Sequence, residues 1–223
     1  MITYETLLAE LNARSDESYR AFHKKLLKNE SINVIGVRTP ALRALAKEHK
    51  DDWRELISFP DTYYEVTFLK CAVAGKLPFE TFCTVVDGLV PLLDNWATCD
   101  TFTAPCIAKH REEFLPYIER YLADGREFVH RFGLTTLLHD YVEERYLPLI
   151  FESVRACDGT QYYVSMAAAW LMAEVLVKHY DAGVRVLQEG SLVREIHNKA
   201  IQKARESYRL DAAQKAYLNT LKR

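Results

Sequence analysis

The sequence predicts an all-α protein, built as a curved α-solenoid of antiparallel helix pairs with a concave inner face. Three observations lead there. Glycine and proline contribute 8 and 7 of 223 residues, about 7% against a usual ~12%, so the punctuation that hairpins and short strands require is scarce. Apolar residues recur at spacings of three and four, and no segment beyond a few residues alternates strictly. Four stretches of similar pattern recur along the chain at roughly the length of a helix pair.

In chain order, MITYETLLAELNARSD reads as an amphipathic helix with Leu7, Leu8 and Leu11 on one face. Phe22, Leu26 and Leu27 mark a second. Thr39-Pro40 places a capping hydroxyl before a proline at the first helical position and opens ALRALAKEH, with Leu42, Leu45 and Ala46 as its apolar stripe. Leu77-Pro78 and Val90-Pro91 also put proline where a first turn tolerates it, and Asp61 and Asp211 are candidate caps. Phe114, Tyr117, Ile118 and Tyr121 form another helical stripe.

The recurring stretches begin at Val66, Val129, Val164 and Ile196, at intervals of 63, 35 and 32 residues. The first interval is two units if a helix over CDTFTAPCIA fills the intermediate slot. Helix pairs repeating every 30 to 40 residues bury their apolar faces on their neighbours, which is the α-solenoid pattern. No Gly-, Pro- or Ser-rich linker interrupts residues 1–223, so a single domain is expected.

Other classes drop out. The most apolar stretch, Val164 to Leu176, is interrupted by Ser165 and Glu174, so no membrane span is expected. The first residues carry acids and no basic start before an apolar block, so no export signal is read and a cytoplasmic location is expected. Five cysteines without a CxxC pair suit reduced thiols in a packed interior. Seven scattered histidines lack HExxH pairing, and GxGxxG, GxxxxGK[ST] and GxSxG are all missing. No metal and no cofactor are expected.

The net charge of −2 conceals an uneven distribution. From Arg14 to Lys50 nine Lys/Arg face four acids, a net of +5; from Arg185 to Arg223 the count is again nine against four, also +5. Between them eleven bases face twenty-one acids, a net of −10. Converging basic ends would grip a polyanion; separately they are solvated helix faces.

Three sites could carry chemistry. In Asn95-Trp96-Ala97-Thr98-Cys99-Asp100, Trp96 and Asp100 are four apart and share a helix face, so an aromatic plate and a carboxylate enter the same space. That pair suits a cationic substrate; the plainer alternative is a core tryptophan and a helix-capping aspartate. Arg131, beside the stripe of Phe128, Phe132, Thr135 and Leu138, reaches either a phosphate or an acid such as Glu127. Trp170 follows Ala167, Ala168 and Ala169, small residues that permit close helix approach, and is either core or a second aromatic wall.

With these residues the chain resembles the AlkC/AlkD-like DNA alkylation repair family, built from HEAT-like repeats. The resemblance rests on INVIGVRTPALRALAK (Ile32 to Lys47), NWATCD (Asn95 to Asp100), Arg131, YYVSMAAAW (Tyr162 to Trp170) and NKAIQKARESYR (Asn198 to Arg209). It implies an AlkD-type DNA glycosylase that excises cationic N-alkylated purines, such as 3-methyladenine and 7-methylguanine, from duplex DNA without flipping the base. It also implies that Trp96, Asp100, Arg131 and Trp170 meet at the lesion. Asp100 would stabilise the oxocarbenium-like sugar, the indoles would contact the electron-poor nucleotide, and Arg131 would hold the backbone. The basic ends, including Arg38, Lys199, Lys203 and Arg205, would bind flanking phosphates, and a monomer would suffice. Tyr162-Tyr163 and Ser165-Met166 stand where AlkD-type chains tend to have a phenylalanine pair and a basic residue. The alternatives are a catalytically silent DNA-binding member and a protein-binding scaffold.

Overall fold

A computed structural model describes residues 2–223. Fourteen α-helices account for the described fold; there is no strand among the described residues, only an isolated bridge between Ser15 and Val37. The all-helical expectation is met. The chain divides into two compact units, Met1–His110 and Arg111–Arg223.

The first unit holds α1 (Tyr4–Asn12), α2 (Glu17–Leu27), α3 (Thr39–Glu48), α4 (Trp53–Ser58), α5 (Tyr64–Ala74), α6 (Phe79–Leu89) and α7 (Trp96–Thr101). Its centre is α5, which is buried on nearly every side because α3, α4, α6 and α7 all pack on it. A helix apolar all round belongs in such a position. Two polar residues inside α5 do structural work. Glu65 accepts backbone N–H bonds from Ile35, Gly36 and Val37, and Lys70 reaches Asp61 at 2.8 Å. Asp61 therefore does not cap α5, whose cap residue is Tyr63. Thr39 does not cap α3 either: it is the first helical residue, and Arg38 occupies the cap position without a side-chain capping bond.

Gly36 is required by this arrangement. Its φ is +102°, and a Cβ there would lie 2.7 Å from the Arg20 Cβ and 2.8 Å from the Asp16 carbonyl oxygen.

The second unit holds α8 (Arg111–Leu122), α9 (Glu127–Asp140), α10 (Leu147–Arg155), α11 (Tyr162–Lys178), α12 (Tyr180–Glu189), α13 (Arg194–Glu206) and α14 (Ala212–Thr220). Here α9, α11 and α13 pack on one another in that order, while α8 packs on α9, α10 and α12 on α11, and α14 on α13. This is the stacking of helix pairs expected of a HEAT-like solenoid. Three of the aligned stretches, from Val129, Val164 and Ile196, fall on α9, α11 and α13. The buried Ala167, Ala168 and Ala169 bring α11 close to its neighbours. Asp211 caps α14, accepting the Gln214 N–H at 2.7 Å.

CDTFTAPCIA is not a helix. The structure ends α7 at Thr101 and resumes only as a 3-10 turn at Ile107–Lys109. Pro105 disfavours helical backbone at Ala104 and supplies no N–H of its own, which keeps the segment extended. No disulfide joins the cysteines among the described residues, and Cys71, Cys99 and Cys157 are buried.

Candidate functional site

Six residues make α7 too short to persist alone. It is fixed from outside. Asn95, only 1% exposed, caps it by accepting the Thr98 N–H at 2.9 Å, and its amide donates to the Thr98 hydroxyl at 3.2 Å and to Asp94 at 2.8 Å. The Thr98 hydroxyl is also bonded to the Tyr64 phenol of α5. Burial pushes that phenol well above its ordinary pKa, so it stays protonated. Ala97, Thr98 and Cys99 are buried, while Trp96 and Asp100, one turn apart, are half-buried. Trp96 leans on the core of the first unit. Asp100 is not a cap residue; it sits inside the helix, as its spacing from Trp96 predicts.

The residue after Asp100 opens onto a hollow of this unit. A cavity of about 550 Å³ is walled by Thr101 and Thr103 on one side and by α3 and α5 on the other. Four cations surround it: Arg43 and Lys47 from one face of α3, Lys50 just beyond it, and Lys76 after α5. All four are exposed, none is ion-paired among the described residues, and no acid lines the cavity. Ala46, Phe68, Ala72 and Val73 form an apolar floor. The segment reaches α5 only because residue 75 is glycine: a Cβ there would lie 2.3 Å from the Thr103 carbonyl oxygen.

In the second unit, Arg131 is 5% exposed and donates to the Tyr163 carbonyl at 2.6 Å. Glu127 does not pair with it there; it accepts the Tyr163 N–H at 2.7 Å. Together they clamp the first turn of α11. Trp170 lies two turns further along that helix, about 10 Å away at helical rise. It is half-buried, stands edge-on to His139 at 6.1 Å, and borders a cavity of about 230 Å³ with Glu174, Lys203 and Arg209. Burial would raise the Glu174 pKa, but Arg209, bound through both carboxylate oxygens at 3.1 and 2.7 Å, and Lys178 outweigh it and lower the pKa.

The remaining predicted phosphate contacts are unevenly placed. Lys203 faces the Trp170 cavity, and Lys199 bonds the neutral Gln202 at 3.0 Å. Arg38 is paired with Asp16 at 2.7 Å and stacks on Tyr19, and Arg205 donates to Asn219 at 2.8 Å. Sequence reasoning missed the cavity cations. Arg43 and Lys47, four apart on the polar side of α3, carried a usable signal; Lys76, inside the acidic centre, carried none. Several of the acids in that centre are engaged locally, Glu112 by Arg145 and Glu143 by Arg111.

One group of three among the described residues, Glu10, Glu48 and His49, brings potential metal-ligating atoms together. His49 Nε2 is 2.9 Å from Glu10 Oε2, which an ordinary hydrogen bond explains.

A family profile described as "DNA alkylation repair enzyme" matches residues 4–206. The chain belongs to that family. The match includes α7, the basic cavity, Arg131 and Trp170, and ends at the last residue of α13. Membership assigns the chain to DNA alkylation repair and makes DNA its class of substrate. No curated protein matches the chain significantly. Among the described residues, no helix is long and apolar enough to cross a membrane.

Proposed function

We propose that this family member is a DNA glycosylase that releases cationic N-alkylated purines, 3-methyladenine and 7-methylguanine among them, from duplex DNA without extruding the base. The observation that carries the proposal is the position of α7: one short helix presents Trp96 and Asp100, and its next residue walls a cavity surrounded by four unpaired cations. A strand whose phosphates meet Arg43, Lys47, Lys50 and Lys76 would pass beside the Asp100 carboxylate.

The chemistry follows from charge. Alkylation makes the purine cationic and a good leaving group; as the glycosidic bond stretches, positive charge moves to the sugar, where a fixed carboxylate lowers the barrier more than it stabilises the ground state. Asp100 supplies that carboxylate and orients the attacking water. The Trp96 face attracts the electron-poor base. Trp170 is assigned a second aromatic contact with the nucleotide, with Lys203 on a flanking phosphate. The burial of Arg131 and its bond to Tyr163 support a part in holding α11, and through it Trp170, beside the backbone.

Incubating the purified chain with methylated duplex DNA and quantifying released 3-methyladenine and 7-methylguanine tests this directly. Wild type should release both, and Asp100→Asn should lose at least a hundredfold in rate. Salt-dependent duplex binding with equal, background release from both proteins would instead establish a silent DNA-binding member.

A further inference from the structure

The cavity beside α7 offers more than a phosphate contact. Its rim carries Arg43, Lys47, Lys50 and Lys76, but its floor, made of half-buried Ala72 with the buried Ala46, Phe68 and Val73, is apolar. Its volume of about 550 Å³ lies within the roughly 300–1,000 Å³ range of small-ligand sites. A paired DNA backbone matches the cationic rim but not the apolar floor. A duplex presents phosphates and sugar edges to a protein and keeps its base faces stacked inside. Inorganic phosphate would satisfy the rim and leave the floor bare.

We propose that this cavity is a binding site for an unpaired nucleotide of a DNA strand, with the base against the Phe68–Ala72 floor and its own and neighbouring phosphates on the four cations. Each phosphodiester carries a single negative charge, so four cations suit a short run of strand better than one isolated nucleotide. Thr101 and Thr103 supply hydroxyls at the wall nearest α7 for the sugar or base edge. The proposal takes DNA as partner from the reading above and adds a preference for a nucleotide outside the stack. Such a nucleotide is cheapest to provide where pairing is already weakened.

The test compares three fluorescently labelled, unmethylated DNAs at one fixed salt concentration with the full chain: a fully paired duplex, the same duplex with one bulged nucleotide, and a single strand. The bulged duplex should bind about tenfold more tightly than the paired one, as expected for one base gaining an apolar contact. Deoxyadenosine monophosphate should compete where equimolar inorganic phosphate does not. Ala72→Trp, which fills the floor, should bring the bulge preference close to one; Lys76→Glu, an exposed change, should weaken binding of all three DNAs and abolish competition by the nucleotide. Thermal melting confirms that each variant is folded. If Ala72→Trp is not, Ala72→Leu and the competition experiment carry the test. Equal binding of paired and bulged duplex by wild type, or equal competition by phosphate, overturns the proposal. Base release from methylated duplex is measured in parallel. Release without bulge preference leaves the glycosylase reading intact and removes this one, while preference without release does the reverse.

Discussion

The Glu65 carboxylate accepts the backbone N–H of Gly36 at 2.7 Å, in the buried interior of the first unit. The same side chain takes the amides of Ile35 and Val37 at 3.0 and 3.2 Å, so one carboxylate from α5 fixes the segment that leads into α3. Its sequence neighbour Tyr64 holds α7 through Thr98. Adjacent residues of one helix thereby set the positions of the helix that carries Arg43 and Lys47 and of the helix that carries Asp100.

Glu65→Gln should therefore be costly although it is nearly isosteric. It removes the charge that strengthens three amide bonds and turns an amide NH2 toward N–H donors. A loss of about 3 kcal/mol is expected, in keeping with removing one partner of a buried charged network. Urea unfolding should show it as a lower midpoint with an unchanged slope. A change within experimental error would mean that the 35–37 segment is held by packing alone.

Much of this was legible in the sequence and some was not, for identifiable reasons. The helix bearing Trp96 and Asp100 was readable because four-residue spacing has a single meaning on a helix, and the alignment of α9, α11 and α13 because stacking demands similar apolar patterns. Glu65 was not readable: it interrupts an apolar run as a surface residue would, and its partners are main-chain amides about thirty positions away. At Arg38 the sequence shows the charge but not the neighbouring Asp16 that engages it. Lys76 was concealed by an acidic surrounding sequence that does not line the cavity.

Thr98 provides a separable test of positioning. Thr98→Val keeps the shape but removes the hydroxyl that Asn95 and Tyr64 both use. With Asp100 in the role proposed for it, base release should fall about tenfold to a hundredfold in kcat with KM for methylated duplex little changed, since a small displacement of its carboxylate would affect the reacting sugar more than the flanking phosphates. Thr98→Ser should restore most of the rate. Equal loss in both variants would indicate a packing role instead.

Gly75 sits where α5 ends, and its place is dictated by space and not by backbone angle, because φ is −63° there. Gly75→Ala should cost about 1–3 kcal/mol, as overpacking against main chain does, and should displace Thr103 from the cavity wall. The variant should show a lower melting temperature and weaker binding of DNA to the basic cavity. If alanine raises stability, as it does at open helix ends, the close approach to Thr103 is wrong.

Asp140 gives a pH-dependent prediction whose sign is fixed by burial. It ends α9, where the helix dipole already disfavours an anion. Burial raises its pKa to about 6, against the opposing pull of Arg111. The folded value lies above the ordinary value near 4, so its contribution to stability is complete below the unfolded pKa and is lost as pH rises through about 6. Asp140→Asn removes the carboxylate and keeps the backbone carbonyl that Arg111 bonds. The variant should melt a few degrees higher than wild type at pH 7.5 and at the same temperature at pH 4. His23, His130 and His197, whose pKa values burial lowers, act in the opposite sense and destabilise both proteins as pH falls below about 6.5. Because that loss is common to the pair, the difference between their melting curves isolates Asp140. A variant less stable than wild type at pH 7.5 would show that attraction to Arg111 outweighs burial at this helix end.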